Sequence, residues 1–231
     1  MERRREPELL DGERLDEREL EDSLREVWFV NRYLGGNPVL FRHLRSILDG
    51  ADRKAGPVRV LDVATGIADV PLALQAWGSR RRLDLSLVGI DLHPQMVAVA
   101  RKRTAERPGI VIEQADARSL PYPDGSFDAA ICNLALHHLD EPGAVQLLRE
   151  LTRVTRRGWV VADLERRPAA YWSARLLARL VWRNPLTRHD GPLSVQRAFT
   201  RPEAEAIVRE AGVPAVVHRH FPFRLAVVSH G

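Results

Sequence analysis

The chain has 231 residues, of which 45% are hydrophobic and 29% charged, and this composition suits one globular domain with a sizeable buried core. Its net charge is +4, but arginines and acids are interleaved along the chain, so we interpret the charge as a solvated surface and do not expect a nucleic-acid partner. The one cysteine, Cys132, excludes an internal disulfide and a cysteine-built metal site, and it is expected to be a buried structural thiol.

Two helices are the first elements predicted along the chain. Apolar residues recur at helical spacing from about 13 to 33, and Gly35-Gly36 supplies a stop signal. Asn37-Pro38 then begins a second helix, with asparagine as the N-cap and proline at the first helical position. The glycine- and proline-bearing segment 49–57 is predicted to be a linker.

From residue 58 onwards, short apolar runs alternate with helical patterns. The predicted strands are 58–63, 85–91, 110–114, 127–133, 159–163, 215–220 and 223–229. The predicted helices are 67–77, 94–107, 142–155, 169–183 and 202–211. Such alternation predicts an α/β fold with a seven-stranded, mostly parallel sheet, helices on both faces and an antiparallel strand at the C-terminus.

This order of elements suggests how the chain is organised. Residues 1–56 form an N-terminal helical cap and linker, and residues 57–231 form the main domain, the two making one compact unit. The segment between the last two predicted helices contains proline, histidine and glycine and is predicted to be a loop.

The most informative stretch runs from residue 60 to residue 69. It is an apolar strand that ends in Asp62 and passes through small residues into a helix. Small residues allow a ligand to approach the backbone closely, and a helix N-terminus offers free amide donors. Ligands of open α/β sheets bind at the carboxyl ends of the strands, where this turn lies. A dinucleotide-binding turn is similar, so the turn alone leaves two ligand classes open.

Polar residues also stand at the ends of the next three predicted strands. Asp91 ends the second strand, Asp116 follows the third, and Asn133 ends the fourth. Each aspartate alone has a structural alternative, because aspartate favours helix caps and turns. Together with Asp62, their regular placement favours a cofactor site.

At these residues the chain resembles the class I S-adenosylmethionine-dependent methyltransferases, and 61–66 is similar to the ubiquinone/menaquinone methyltransferase branch. The similarity covers about 58–163 and includes the segment 121–128 before the fourth strand. It implies a Rossmann-like fold, S-adenosylmethionine as cofactor, S-adenosylhomocysteine as product, and no metal. The implied cofactor-binding residues are Asp62, Ala64, Thr65, Gly66, Asp91, Leu92, Asp116, Ala117 and Asn133.

The same resemblance implies which part of the cofactor each of these residues contacts. The first turn cradles the methionine part of the cofactor, Asp91 holds the ribose, and Asp116 faces the adenine. The chain departs from the family at Ala64 and Ala68, where the pattern small-x-Gly-x-Gly ends in alanine. Each alanine adds a methyl group to the turn, and we expect these methyl groups to affect the affinity for the cofactor.

Three histidines are candidate catalytic residues. His137 and His138 follow Asn133 closely enough to border the transferred methyl group, and an imidazole suits a general base near neutral pH. Alternatively, one of them packs against the cofactor while the other caps the next helix. His189 stands beside Asp190 in the predicted loop, where the pair could orient the acceptor, with a plain surface loop as the alternative.

Aromatic residues of the first helix are candidate acceptor contacts. Trp28, Arg32 and Tyr33 precede the Gly35-Gly36 stop and, together with Asp190, are predicted to bind the substrate. Core packing is the alternative for Trp28. The apolar stripe within 171–182 could contact a lipid-like acceptor or a membrane surface, but burial against the domain or a dimer partner is the favoured interpretation.

Competing enzyme classes lack their expected motifs. A nicotinamide-dependent oxidoreductase needs Gly-x-Gly-x-x-Gly, whereas this turn supplies only Gly66, and base-amine methyltransferases carry an Asn/Asp-Pro-Pro-aromatic motif that 133–136 does not match. We therefore expect methyl transfer to oxygen or carbon of a small phenolic or quinone-like molecule. The alternative is a catalytically silent S-adenosylmethionine-binding scaffold or sensor.

The cellular location of the protein is predicted from two patterns that the sequence lacks. No apolar run reaches the roughly 20 residues of a membrane span, and the first residues lack the apolar core of a signal peptide. We expect a soluble, cytoplasmic protein with a small-molecule acceptor. The sequence leaves the oligomeric state open, a homodimer included.

Overall fold

Seven strands form one sheet in the computed structural model, which describes residues 1–12, 15–33, 35–49 and 56–230. The strands are β1 (Val58–Val63), β2 (Leu85–Asp91), β3 (Ile110–Gln114), β4 (Ala129–Asn133), β5 (Gly158–Leu164), β6 (Ala215–His220) and β7 (Arg224–His230). Their order is β3-β2-β1-β4-β5-β7-β6, and β7 runs antiparallel to both of its neighbours. The predicted α/β fold, with its parallel sheet and antiparallel C-terminal strand, is confirmed.

Helices cover both faces of this sheet. They are α1 (Glu17–Tyr33), α2 (Gly36–Leu48), α3 (Asp69–Arg81), α4 (Pro94–Thr104), α5 (Glu141–Val154), α6 (Pro168–Leu180), α7 (Pro185–Arg197) and α8 (Arg201–Ala211). Short 3-10 helices lie at Leu9–Asp11 and Leu136–His138. The predicted helix start at residue 13 and most of the predicted linker, residues 50–55, lie outside the described residues.

The strands are apolar on both faces, and alternate residues enter different cores. In β4, Ala130 and Cys132 pack with α5 and α8, whereas Ala129 and Ile131 pack with α2 and α3 on the opposite face. Successive side chains of a strand point to opposite faces, so a sheet covered on both sides reads as a continuous apolar run. Cys132 is fully buried, as expected, and burial raises the pKa of its thiol.

The prediction of a loop after α6 is wrong, because these residues form helix α7. Asn184 caps this helix by accepting a hydrogen bond from a first-turn amide. Gly191 lies against the ring of Trp182, where an added Cβ would be 2.3 Å from the nearest ring atom. Pro192 stands inside the helix and supplies no amide donor there. Tertiary packing therefore overrides two residues that usually end helices.

The domain buries only part of the apolar stripe within 171–182, which is predicted to be buried against the domain or a dimer partner: Trp182 is buried and Leu177 packs in the same cluster. Trp172, Leu176, Leu180 and Val181 are exposed, with Trp172 65% accessible, whereas Ala174 on the opposite side of the helix is buried. Within the described residues, the structure contains no helix both long and apolar enough to cross a membrane.

Candidate functional site

One large cavity lies at the carboxyl ends of the parallel strands. Its volume is about 1350 Å³, which exceeds the roughly 300–1,000 Å³ of a pocket for a single small ligand. One end, which we call the cofactor end, is lined by residues at the ends of β1, β2 and β4 and after β3. The other, the apolar end, is lined by α1, α6 and the turn between β6 and β7. The cavity therefore has room for two molecules side by side.

The turn after β1 lines the cofactor end and is held in a strained conformation. Ala64 and Ala68 both have positive φ angles, 57° and 65°, and the left-handed region costs a residue with a Cβ roughly 1–2 kcal/mol. The Thr65 amide donates to the carbonyl of Ile90 at 2.8 Å, which fixes the turn against β2. A Cβ added to Gly66 would meet open space, so the backbone here forms an open cradle.

Asp62 lies at the base of this turn and is 2% exposed. It accepts a hydrogen bond of 2.6 Å from the hydroxyl of Thr65. Burial raises the pKa of its carboxyl to about 7, with a further rise from the nearby charge of Asp91. Both the neutral and the ionised form of Asp62 are therefore populated near neutral pH.

Asp91 ends β2 beside the same turn. One carboxylate oxygen accepts the Gly66 amide at 2.8 Å and the other accepts the His93 amide at 2.9 Å. Burial raises the pKa of this carboxyl. Leu92 follows it and lines the cavity as an exposed side chain. The carboxylate thus stands between two turns at the strand end, the position from which it can accept ligand hydroxyls.

Asp116, Ala117 and Asn133 complete the cofactor end. The guanidinium of Arg118 holds both oxygens of Asp116 at 2.7–3.1 Å, and this hydrogen bonding lowers the pKa of the carboxyl. Among the described residues, the buried side-chain oxygen of Asn133 has no hydrogen-bond partner. An orphaned acceptor and an open backbone cradle fit a bound polar cofactor, because buried polar atoms are nearly always paired.

His137 is buried in the cavity wall in a network of acids. Its Nδ1 lies 2.7 Å from Asp163 and its Nε2 lies 3.5 Å from Glu8. Although burial lowers it, the charge of Asp163 raises the pKa of His137 to about 10. The surrounding acids therefore favour the imidazolium form of the ring. Both ring nitrogens of His137 face carboxylates, and its role as a general base stays a prediction.

His138 is the more accessible histidine of the pair and lines the cavity. Its Nδ1 lies 2.9 Å from Asp11, which in turn is 2.9 Å from a guanidinium nitrogen of Arg197. Glu8, His137 and His138 bring donor atoms of metal-ligand type within 4.8 Å of one another. The hydroxyl of Ser194 also donates to Glu8 at 2.8 Å, so these side chains form one ion network that fixes the N-terminal segment.

The N-terminal segment, residues 1–12, closes one side of the cavity, and no pattern in the sequence predicted this. Glu8 and Asp11 both line the cavity. Asp190, predicted to bind substrate, is buried and accepts the backbone amides of Leu9 and Leu10 at 2.9 and 3.0 Å. The N-terminal segment therefore occupies both carboxylate oxygens, but Asp190 also lines the cavity, and its contact with substrate stays a prediction.

The remaining predicted acceptor contacts divide into two groups. Trp28 lines the apolar end and also packs against the core. Arg32 and Tyr33 lie outside the cavity, where the exposed ring of Tyr33 packs against Phe29. His189 also points to solvent, with its Nδ1 2.8 Å from Asp190. The structure thus places Arg32, Tyr33 and His189 outside the cavity lining, and their catalytic and substrate roles stay predictions.

The chain is similar to known methyltransferases in both sequence and structure. A methyltransferase domain model matches residues 60–158. A demethylmenaquinone methyltransferase of Thermus thermophilus is 32% identical over 87% of this chain and 94% of the relative. Another of Deinococcus radiodurans is 37% identical over 57% of this chain and 53%, about half, of that relative. A SAM dependent methyltransferase from Aquifex aeolicus has the same fold, with a TM-score of 0.62 over 93% of this chain and 98% of that chain at 18% identity.

Proposed function

The chain belongs to the class I S-adenosylmethionine-dependent methyltransferases, in the ubiquinone/menaquinone methyltransferase branch, and from this premise we propose that it methylates a small quinol-like aromatic acceptor. One observation carries the proposal: a single cavity joins the cofactor end to an apolar end of a size and character that suit a flat, hydrophobic molecule. The acceptor class is taken from the relatives named as demethylmenaquinone methyltransferases.

The cofactor end supplies the contacts that the cofactor needs. We assign the methionine part to the turn from Asp62 to Gly66 and the side-chain oxygen of Asn133, and the ribose hydroxyls to Asp91. The adenine is assigned to Leu92 and the Asp116-Ala117 pair. The bound cofactor supplies an activated methyl group on a sulfonium. The protein then has to align the two molecules and exclude water.

The apolar end is assigned to the acceptor. Its walls are formed mainly by Leu24, Val27, Trp28, Val30, Leu164, Ala170, Ala174, Leu177, Val195 and Phe223. At the rim, Leu176 and Phe221 are exposed. Such walls favour an acceptor that carries an apolar substituent.

The free thiol of Cys132 supports a cytoplasmic location, since free thiols persist in reducing compartments.

The affinity for S-adenosylmethionine is expected to rise by about tenfold between pH 5.5 and pH 7. The ionised form of Asp62 attracts the ammonium group of the cofactor, and its pKa of about 7 means that the carboxyl is mostly protonated at pH 5.5. Isothermal titration calorimetry across this range measures the slope. Asp62→Asn should bind more weakly at pH 7 and lose most of the pH dependence, and equal slopes for the two proteins would contradict the assignment.

A bulkier side chain at Ala174 is expected to raise the KM for a long-chain acceptor about tenfold, with less effect on a short-chain one. Ala174 is buried on α6 and lines the apolar end, so Ala174→Leu shortens the space for the substituent. The matched control is Ala169→Leu, on the exposed side of the same helix. Steady-state kinetics with demethylmenaquinols of two chain lengths make the comparison, and equal effects on both substrates would argue against the assignment.

Transfer of a labelled methyl group from S-adenosylmethionine to reduced, short-chain demethylmenaquinol tests the function itself. The expected product is the ring-methylated quinol together with S-adenosylhomocysteine. The oxidised quinone is the chemical control, because it lacks the hydroxyl whose electrons activate the ring. Cofactor binding without turnover on any quinol or phenol would instead support the silent scaffold.

A further inference from the structure

Polar atoms without partners line the apolar end of the cavity. Among the described residues, both amide atoms of Asn37, the indole nitrogen of Trp182 and Nε of Arg224 have no hydrogen-bond partner. These three side chains all line the cavity, and the residues are 4%, 9% and 8% exposed. An unpaired buried polar atom costs about 1–3 kcal/mol. The wall of the apolar end therefore contains polar groups that the described part of the protein leaves unpaired.

Arg224 is the charged member of this group. Its Nη2 donates to the side-chain oxygen of Asn31 at 2.9 Å, which fixes the plane of the guanidinium. Asp163 is the acid whose charge raises the pKa of Arg224, but its carboxylate is already hydrogen-bonded to His137. Burial lowers the pKa of Arg224 to about 10, so the group still carries its charge at neutral pH. Within the part of the chain that the structure describes, this cation therefore forms no ion pair with a carboxylate.

Asn31 also connects this cation to the start of α2. Gly36 lies directly against it, since a Cβ at Gly36 would be 2.4 Å from the Asn31 oxygen. Asn37, the next residue, carries the two unpaired amide atoms. Asn31 therefore contacts both Arg224 and the first residue of α2, and Arg224 and Asn37 line the same cavity. Both groups bind oxygen, and the guanidinium favours an anionic oxygen.

We propose that Arg224 and Asn37 form a subsite that binds a ring oxygen of the acceptor in its ionised form, as a phenolate or quinolate. The use of this subsite in catalysis rests on the proposed function, whereas its existence does not. An arginine beside an acid lowers the pKa of that acid by about 1–3 units. The guanidinium therefore promotes ionisation of the acceptor, and the step requires no histidine as a general base.

The reaction balances with the groups present. The acceptor hydroxyl releases its proton to water, and the electron pair of the ionised ring forms a bond from oxygen, or from the adjacent ring carbon, to the methyl group. The carbon–sulfur bond breaks, and its electron pair stays on sulfur as S-adenosylhomocysteine. Where carbon is methylated, that carbon then loses its hydrogen as a proton to water and the ring regains aromaticity.

The ionisation of bound 2-naphthol tests the subsite, because the naphtholate absorbs at longer wavelength than the neutral form. The probe is titrated with pH in the presence of S-adenosylhomocysteine and excess protein. In the wild-type protein its pKa is expected to fall by at least one unit from the free value. Arg224→Met should abolish this shift, and Arg224→Lys, which keeps the charge but loses the planar fork, should retain part of it.

The matched control is Arg175→Met, which removes an exposed arginine of α6 outside the cavity. It should leave the pKa of the bound probe unchanged. Failure of the wild-type protein to bind or ionise the probe overturns the subsite, as does an equal shift in Arg224→Met. If quinol methylation still occurs in that case, the proposed function stands alone. If ionisation depends on Arg224 but no quinol is methylated, the subsite stands and the proposed function fails.

Discussion

Replacing His137 with glutamine is expected to lower the free energy of unfolding by about 3–5 kcal/mol. The imidazolium lies between Asp163 and Glu8, and all three side chains are at most 5% exposed. Glutamine fills a similar volume without the charge and leaves two buried carboxylates poorly compensated. For a chain of this size the melting temperature should fall by roughly 6–20 °C.

The dependence of stability on pH separates this charge effect from a packing effect. The folded-state pKa of His137 is raised to about 10, above its ordinary value of 6.5. The stabilisation is therefore fully present below pH 6.5 and is lost as the pH rises through 10. Chemical denaturation of the wild-type protein between pH 6.5 and 10 should show this loss, and His137→Gln should lack it.

The control for this prediction is His189→Gln. That imidazole also contacts an aspartate, Asp190, but it is 53% exposed, and exposed ion pairs contribute about 1 kcal/mol or less. Equal losses of stability in the two variants, or a wild-type profile without the alkaline decline, would show that the buried network does not hold His137 as a cation.

Local patterns were sufficient to predict the sheet and the cofactor end. The run from Val60 to Val63 is apolar because both faces of β1 are covered, and Asp62 interrupts it at the strand end where ligands bind. Asp91 could be predicted for the same reason, as an acid at the next strand end. These signals lie within a few residues of one another, so they can be read without knowledge of the tertiary structure.

The features that could not be predicted depend on contacts between distant segments. Glu8 stands in a charged N-terminal stretch that looks solvated, yet it is 5% exposed because it meets His137 and Ser194. Arg224 looks like an ordinary strand residue and becomes notable only once its burial is known. The error over α7 has the same origin, because only Trp182 explains why Gly191 belongs in a helix.

Asp91→Ala is expected to weaken the binding of S-adenosylmethionine and S-adenosylhomocysteine by about 10- to 100-fold. A hydrogen bond to a charged group contributes about 1.5–3 kcal/mol, and 1.4 kcal/mol corresponds to a factor of ten in the dissociation constant. Titration calorimetry measures both ligands. Asp84→Ala is the control, because this exposed aspartate precedes the other end of the same strand.

The 2′-deoxy analogue of S-adenosylhomocysteine shows whether the loss arises at the ribose. If Asp91 accepts the ribose hydroxyls, removal of the 2′-hydroxyl weakens binding to the wild-type protein but has little further effect on Asp91→Ala, since the partner is already gone. The alternative is structural, because the carboxylate also accepts the amides of Gly66 and His93 and so holds the turn. In that case the analogue loses the same factor on both proteins, and the ribose contact is refuted even though the variant binds weakly.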